Sequence, residues 1–249
     1  MEDREKTLCD WAEEYQDEAE SHRRFSEIFK SLVNEMPWLK EHRDFIERGG
    51  YGMGEREFHW MWKLLADEMP SPFKFVEIGV YKGQVPSLIR LLADHAGKQA
   101  QITGVTMLSS FSGNTGKDRK FQETDYLQHI KDVHSKLGLE FGEDQIVKGD
   151  STLSETQDKV AARGPFDIVY VDGCHEYDFV VKDIAAYGNM LKPGGFLVMD
   201  DACNFKNVYW GRFWGKEDVS KAVRDHIEGK PMWKEVLSVV HNRVFRRVI

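Results

Sequence analysis

Residues 166–202 read FDIVYVDGCHEYDFVVKDIAAYGNMLKPGGFLVMDDA, and the fold turns on how this stretch is read. Two short apolar runs, Ile168–Val171 and Phe196–Met199, each end in aspartate. Between them Val180, Val181, Ile184, Ala185 and Met190 recur at helical spacing, and Pro193-Gly194-Gly195 reads as the stop and turn after that helix. Strand, helix, strand is a crossover unit, the kind that builds a parallel sheet covered on both faces. Such sheets bind ligands outside the carboxyl ends of their strands. Asp172, Asp200 and Asp201 are therefore expected to converge at one edge, with His175 just past the first of them.

Upstream the same grammar repeats. Phe73–Ile78 reads as a strand, followed by the turn Glu77-x-Gly79-x-x-x-Gly83 and a helix carrying Val85, Leu88, Ile89, Leu91 and Leu92. Glycines let a backbone approach a ligand closely, and the helix amino terminus behind them favours negative charge. The acid before the first glycine adds specificity, because it can accept from an ammonium or hydroxyl group at the strand's end. Gln101–Met107 is the next strand, Leu108–Lys120 a polar loop, and a helix follows through Phe121, Tyr126, Leu127, Ile130, Val133 and Leu137. A third strand, Gln145–Lys148, ends in Gly149-Asp150-Ser151, where Asp150 either caps the turn or reaches a ligand's amino group. After Asp201 one helix, Val219–Ile227, precedes strands Glu235–Val240 and Arg243–Val248. The connection His241-Asn242 is too short for a crossover and implies an antiparallel hairpin.

Residues 1–70 have no strand candidate. Trp11, Tyr15, Ala19, His22, Phe25, Phe29, Leu32 and Met36 fall on one face of a helix that Pro37 ends, and a second helix is expected over Trp38–Glu47. This extension reads as a cap or an oligomer contact, so a homo-oligomer is expected. Gly49-Gly50-Tyr51-Gly52-Met53-Gly54 is a loop that could cover a ligand, leading through a helix at Glu55–Glu68 into the first strand.

At 249 residues the chain fits one large α/β domain with a helical extension, 1–70 and 71–249. A net charge of −8, with no basic run, argues against a nucleic-acid partner. No apolar run approaches the roughly 20 residues that cross a bilayer, and the start MEDREKTLCDW is unlike a signal peptide. Cys9, Cys174 and Cys203 are odd in number and lack CxxC spacing, which points to a reducing cytoplasm and to neither disulfides nor zinc.

With these motifs in place, the chain resembles the class I S-adenosylmethionine-dependent methyltransferases. That resemblance implies a Rossmann-like fold with a seven-stranded, mostly parallel sheet and an antiparallel hairpin at its end. More narrowly, FVEIGVYKG, IVYVDGCHEY and LKPGGFLVMDDA resemble the metal-dependent sugar O-methyltransferases of macrolide and enediyne antibiotic biosynthesis, the macrocin type. Carried over, the resemblance implies that Glu77, Gly79, Tyr81 and Gly83 surround the methionine part of the cofactor, with Asp150 and Ser151 near its adenine and Met53 against it. Thr106 stands where relatives carry an acid for the ribose hydroxyls. Asp172, Asp200 and Asp201 match the ligands of a divalent metal, with magnesium expected, and His175 matches the catalytic base. The implied substrate is a small-molecule glycoside.

The chemistry is consistent with those residues. A sugar hydroxyl holds its proton well above neutral pH, and a hard cation on carboxylates would lower that pKa and orient the oxygen. An imidazole, titrating near ~6.5, can then take the proton, a contribution of roughly 10²–10⁴-fold. Three acids without a cation would repel one another. Each residue also has a plainer reading: Asp172 as a turn acid, Asp201 as a cap, His175 as an exposed helix-start residue. A catechol or phenolic O-methyltransferase remains a neighbouring alternative. A nicotinamide oxidoreductase is a more distant one, since Tyr81 interrupts G-x-G-x-x-G.

Overall fold

The computed structural model describes residues 2–108, 126–203 and 213–249. Apart from Leu108, the polar loop expected at Leu108–Lys120 lies outside the described residues, as does Phe121. Seven strands form one sheet: β1 (Phe73–Ile78), β2 (Ala100–Thr106), β3 (Ile146–Lys148), β4 (Phe166–Val171), β5 (Leu191–Met199), β6 (Trp233–Val239) and β7 (Asn242–Arg247). Their order is β3-β2-β1-β4-β5-β7-β6, with β1 to β5 parallel and β7 antiparallel to both β5 and β6. The order reverses between β1 and β4, which is where open sheets of this kind leave a crevice.

Strand alternation divides the apolar residues between two layers. Phe73, Phe75, Ile168, Tyr170, Phe196 and Val198 face one side. There they meet α1 (Leu8–Glu14), α2 (Ala19–Glu35), α3 (Pro37–Gly49), α4 (Phe58–Glu68) and α5 (Gln84–His95). Val76, Ile78, Val169, Val171, Leu197 and Met199 face the other side. They lie under α7 (Ser154–Ala161), α8 (Tyr177–Asn189) and α9 (Glu217–His226). A further helix, α6 (Tyr126–Lys136), contacts α5. The amino-terminal helices thus share one continuous core with the sheet. Trp62 sets its ring edge-on to Phe75 and Tyr170, at 5.8 and 5.0 Å between centroids. Burying one such side chain contributes roughly 1.5–3 kcal/mol.

Three local readings of the sequence shift. The single helix expected from Trp11 to Met36 is two, because Tyr15 leaves helical geometry with ψ 127°. A capping box between Thr7 and Asp10 starts the first helix. The break folds Trp11 back onto Phe25 and Phe29, with centroids 5.1 and 5.0 Å apart, burying both faces that one straight helix would have splayed. Pro193-Gly194-Gly195 is not a turn after α8, which ends at Asn189, but an irregular start of β5 where the register with β4 slips. There the Cβ of any other residue at Gly195 would stand 2.7 Å from Asp167 O. The hairpin turn is Val240-His241, since Val239 pairs with Asn242. α7, between β3 and β4, was not foreseen.

A buried polar chain ties three helices of one layer together. His42 Nδ1 lies 2.9 Å from His59 Nε2, and His42 Nε2 lies 3.1 Å from Ser87 Oγ, joining α3, α4 and α5. Burial, with the charges of Arg43 and His134, pushes His42 down to about 3. Burial, with His42 and Arg43, holds His59 well below its usual value. Both rings therefore stay neutral when folded but take up protons once unfolded. Stability is full above an ordinary histidine pKa of ~6.5 and falls as pH drops below it. Urea midpoints measured at pH 7.5 and pH 5 should show this fall in the wild type, and a smaller one in the double variant His42→Leu/His59→Leu.

Candidate active site

The site begins with backbone bonds that continue past the strand ends. Gly79 N–H donates to Val105 O at 2.9 Å, Asp172 N–H to Ile78 O at 2.8 Å, and Asp200 N–H to Val171 O at 3.0 Å. These bonds carry β1, β4 and β5 one residue further in register, so the residues just past each strand stand side by side. Gly79 is required here: its φ is +103°, and a Cβ would sit 2.0 Å from Asp172 O. Gly83, at φ +90°, then caps α5, with Ile130 Cα 3.2 Å from where its Cβ would be.

Above this edge lies a cavity of about 420 Å³, in the range that accommodates a small ligand. Met53, Glu77, Tyr81, Asp172, His175, Asp200 and Asp201 line it, together with Tyr51 and Gly52 of the glycine loop. Gly79, Gly83, Thr106, Asp150 and Ser151 are not lining residues. Asp150 accepts from Thr152 N–H and Thr152 Oγ1, both at 2.8 Å, and so caps its own turn. Ser151 O accepts from Tyr187 Oη at 2.8 Å. Thr106 Oγ1, at the end of β2, accepts from Leu108 N–H at 3.2 Å.

The lining is dominated by carboxylates. Glu77 is buried at 3% exposure, and its Oε2 has no hydrogen-bond partner. Burial, with the negative charge of Asp172 and Asp200, pushes Glu77 well above the usual carboxylate range. Asp172 is raised in the same way, by burial and by Asp200. Burial also acts on Asp200, but its contacts with His241 and Asp172 outweigh this and lower it. Tyr170 Oη donates to Asp172 Oδ2 at 3.2 Å.

Two imidazoles face this cluster. His175 Nε2 stands 3.4 Å from Asp201 Oδ2 and 3.7 Å from Asp172 Oδ1. His241 Nδ1 stands 3.0 Å from Asp201 Oδ1 and 3.3 Å from Asp200 Oδ1. Burial disfavours charge on His241, but the two aspartates prevail and push it up to about 10. Among the described residues, two groups bring three ligand atoms within 4.8 Å of one another: Asp172, His175 and Asp200, and Asp200, Asp201 and His241.

Sequence reading passed over His241, although a signal was present. β7 runs antiparallel beside β5, so the residues before β7 reach the same edge as the residues after β5. Met199 pairs with Arg243; two residues further on, Asp201 meets His241. Ala202 N–H donates to His241 O at 2.8 Å, while Lys216 N–H donates to Asp201 O at 2.9 Å, so the turn is held from both sides. Asp201 (φ 54°) and Val240 (φ 51°) are both left-handed without being glycine. Such backbone costs on the order of 1–3 kcal/mol each and clusters at functional sites.

Comparison with known proteins identifies the family and the fold. Residues 76–202, just over half of the chain, match the family described as "Methyltransferase domain". The chain belongs to this methyltransferase family. Within it, 73 residues are 38% identical to mycinamicin VI 2''-O-methyltransferase of Micromonospora griseorubida; the aligned stretch is 29% of this chain and 18% of that enzyme. The O-methyltransferase NovP shares the fold, with a TM-score of 0.59 at 13% identity, over 80% of this methyltransferase and 83% of that chain. MycE, from the mycinamycin biosynthetic pathway and solved in complex with Mg and SAH, matches at a TM-score of 0.50 and 18% identity, over 83% of this chain and 53% of that one. The class I S-adenosylmethionine-dependent assignment and its seven-stranded sheet are thereby borne out. No helix among the described residues is long and apolar enough to cross a membrane.

The glycine turn of this methyltransferase offers a direct check. Gly79→Ala adds a clash with Asp172 O to its backbone strain, whereas Gly97 also has a left-handed φ (+64°) but nothing within 4 Å. Gly97→Ala should cost about 1–2 kcal/mol, from left-handed strain alone. Gly79→Ala should cost considerably more and abolish S-adenosylmethionine binding; thermal midpoints and binding calorimetry on the two variants decide it.

Proposed function

We propose that the protein transfers a methyl group from S-adenosylmethionine to a hydroxyl of a sugar carried on a small-molecule glycoside. In this reading Asp172, Asp200 and Asp201 hold a divalent cation and His175 acts as general base. The observation that carries it is the meeting of three aspartates and two imidazole nitrogens beside Glu77 at one edge of the cavity. His175 Nε2 and His241 Nδ1 are buried and make no hydrogen bond, although carboxylate oxygens lie within 3.7 Å of each. Ligand atoms turned toward a common space, with like charges left crowded around it, suit a bound cation. Glu77, with an unpartnered buried oxygen, suits the ammonium of an amino-acid cofactor in the same way.

When bound, S-adenosylmethionine supplies a methyl on a positively charged sulfur, and a divalent cation makes a coordinated hydroxyl more acidic. The remaining work falls to this chain's own residues. Glu77 and the Gly79 turn fix the methyl donor at the ends of β1 and β4, and the cavity walls orient the acceptor in line with it. His175 Nε2 takes the hydroxyl proton as the oxygen attacks, and Asp201, 3.4 Å away, stabilises the imidazolium that forms. The partial match to a sugar 2''-O-methyltransferase supports a glycoside acceptor.

Removal of divalent cations by excess EDTA should abolish methyl transfer to glycoside acceptors, with restoration on adding magnesium or manganese. Full turnover in demonstrably metal-free protein would sink the cation assignment. His175→Ala should lower turnover by roughly 10²–10⁴-fold while leaving S-adenosylmethionine affinity within about threefold; near-normal turnover would remove it from the base role.

A further inference from the structure

His241 sits at the tip of the β6–β7 hairpin, opposite the turn that presents Asp200 and Asp201, and the preceding reading gives it no task. It is 5% exposed, and its Nδ1 lies 3.0 Å from Asp201 Oδ1 and 3.3 Å from Asp200 Oδ1. At those distances a hydrogen bond would be expected, yet the nitrogen forms none. Nδ1 thus lies within reach of both carboxylates without an aligned bond to either.

That orientation is imposed from several directions. Phe58 and Phe213 meet the imidazole edge-on, at 4.8 Å and 85° and at 5.2 Å and 71°, which leaves the ring little room to rotate. Ala202 N–H bonds to its carbonyl, and Val240 before it is left-handed, as is Asp201 opposite. A β-branched residue and an aspartate have both been driven into unfavourable backbone so that these side chains meet. An ordinary two-residue hairpin would place glycine or asparagine at Val240.

We infer that His241 is a nitrogen ligand of the cation held by Asp200 and Asp201, and that this mixed set takes a first-row transition-metal dication in preference to magnesium. The inference rests on the proposed cation site and goes beyond it by assigning a ligand and a metal class. Magnesium favours an all-oxygen shell and retains its waters, whereas imidazole suits iron, nickel, copper and zinc; manganese, the weakest binder of the first-row series, prefers oxygen but accepts a nitrogen ligand and serves as the spectroscopic probe. The three ligand atoms, one each from Asp200, Asp201 and His241, lie within 4.8 Å of one another, which one ion can bridge.

The test uses the full chain freed of metal with EDTA and reloaded with Mn²⁺ or Mg²⁺. Pulsed electron paramagnetic resonance of the Mn²⁺ protein should show coupling to an imidazole nitrogen. That coupling should vanish in His241→Phe, which keeps an aromatic ring between Phe58 and Phe213, and persist in His175→Asn. By calorimetry the wild type should bind Mn²⁺ at least tenfold more tightly than Mg²⁺. His241→Phe should lose about 10–100-fold in Mn²⁺ affinity, at least what an outer partner of a ligand is worth, and less than threefold for Mg²⁺. Mn²⁺ bound without nitrogen coupling in the wild type would overturn the inference and leave the cation site standing, and that measurement needs no variant. Coupling lost in His175→Asn and kept in His241→Phe would overturn it as well. Failure of every dication to bind at millimolar concentration would remove the cation reading itself.

Discussion

The site depends on the backbone ladder that outlasts the strands. Gly79 to Val105, Asp172 to Ile78 and Asp200 to Val171 are each bonded one residue beyond the regular sheet. Side chains separated in sequence by about a hundred residues are thereby held at the spacing of adjacent strands, roughly 4.8 Å. The cost is electrostatic, since Glu77, Asp172 and Asp200 each carry a carboxyl group into the same low-dielectric edge. Burial and that crowding together raise Glu77 and Asp172 well above the usual carboxylate range.

The hairpin is anchored with comparable care. Arg243, fully buried two residues after the turn, bonds through Nε to Glu235 at 3.0 Å and through Nη1 to Glu228 at 2.5 Å. A charge this deep is tolerable only when so paired. Glu235 receives a second bond, from Nη2, so the two acids together hold three of the Arg243 donors. This ion-pair cluster anchors β7 just beyond the turn that carries His241. On the opposite side, the glycine loop that follows α3 lies against the turn before α5 and the end of α6. Lys82 Nζ donates to Gly50 O at 2.9 Å, and Lys136 Nζ to Tyr51 Oη at 2.6 Å. Helical layer, sheet edge and hairpin thus each supply one wall.

Sequence alone determined the parallel sheet, its closing hairpin and the grouping of Asp172, Asp200 and Asp201 at one edge. The reason is local: apolar runs of strand length ending in acids, separated by helical spacing, admit few other topologies. Glu77 and the Gly79 turn were legible for the same reason. Tertiary structure decided what depended on register and packing. The break at Tyr15 follows from burying Trp11 against Phe25 and Phe29, which helical periodicity cannot register. The one-residue shift of the hairpin follows from the pairing of Val239 with Asn242. That shift gives His241 its place, because an imidazole near the end of a chain acquires meaning only once an antiparallel strand carries it back to the two aspartates that end β5.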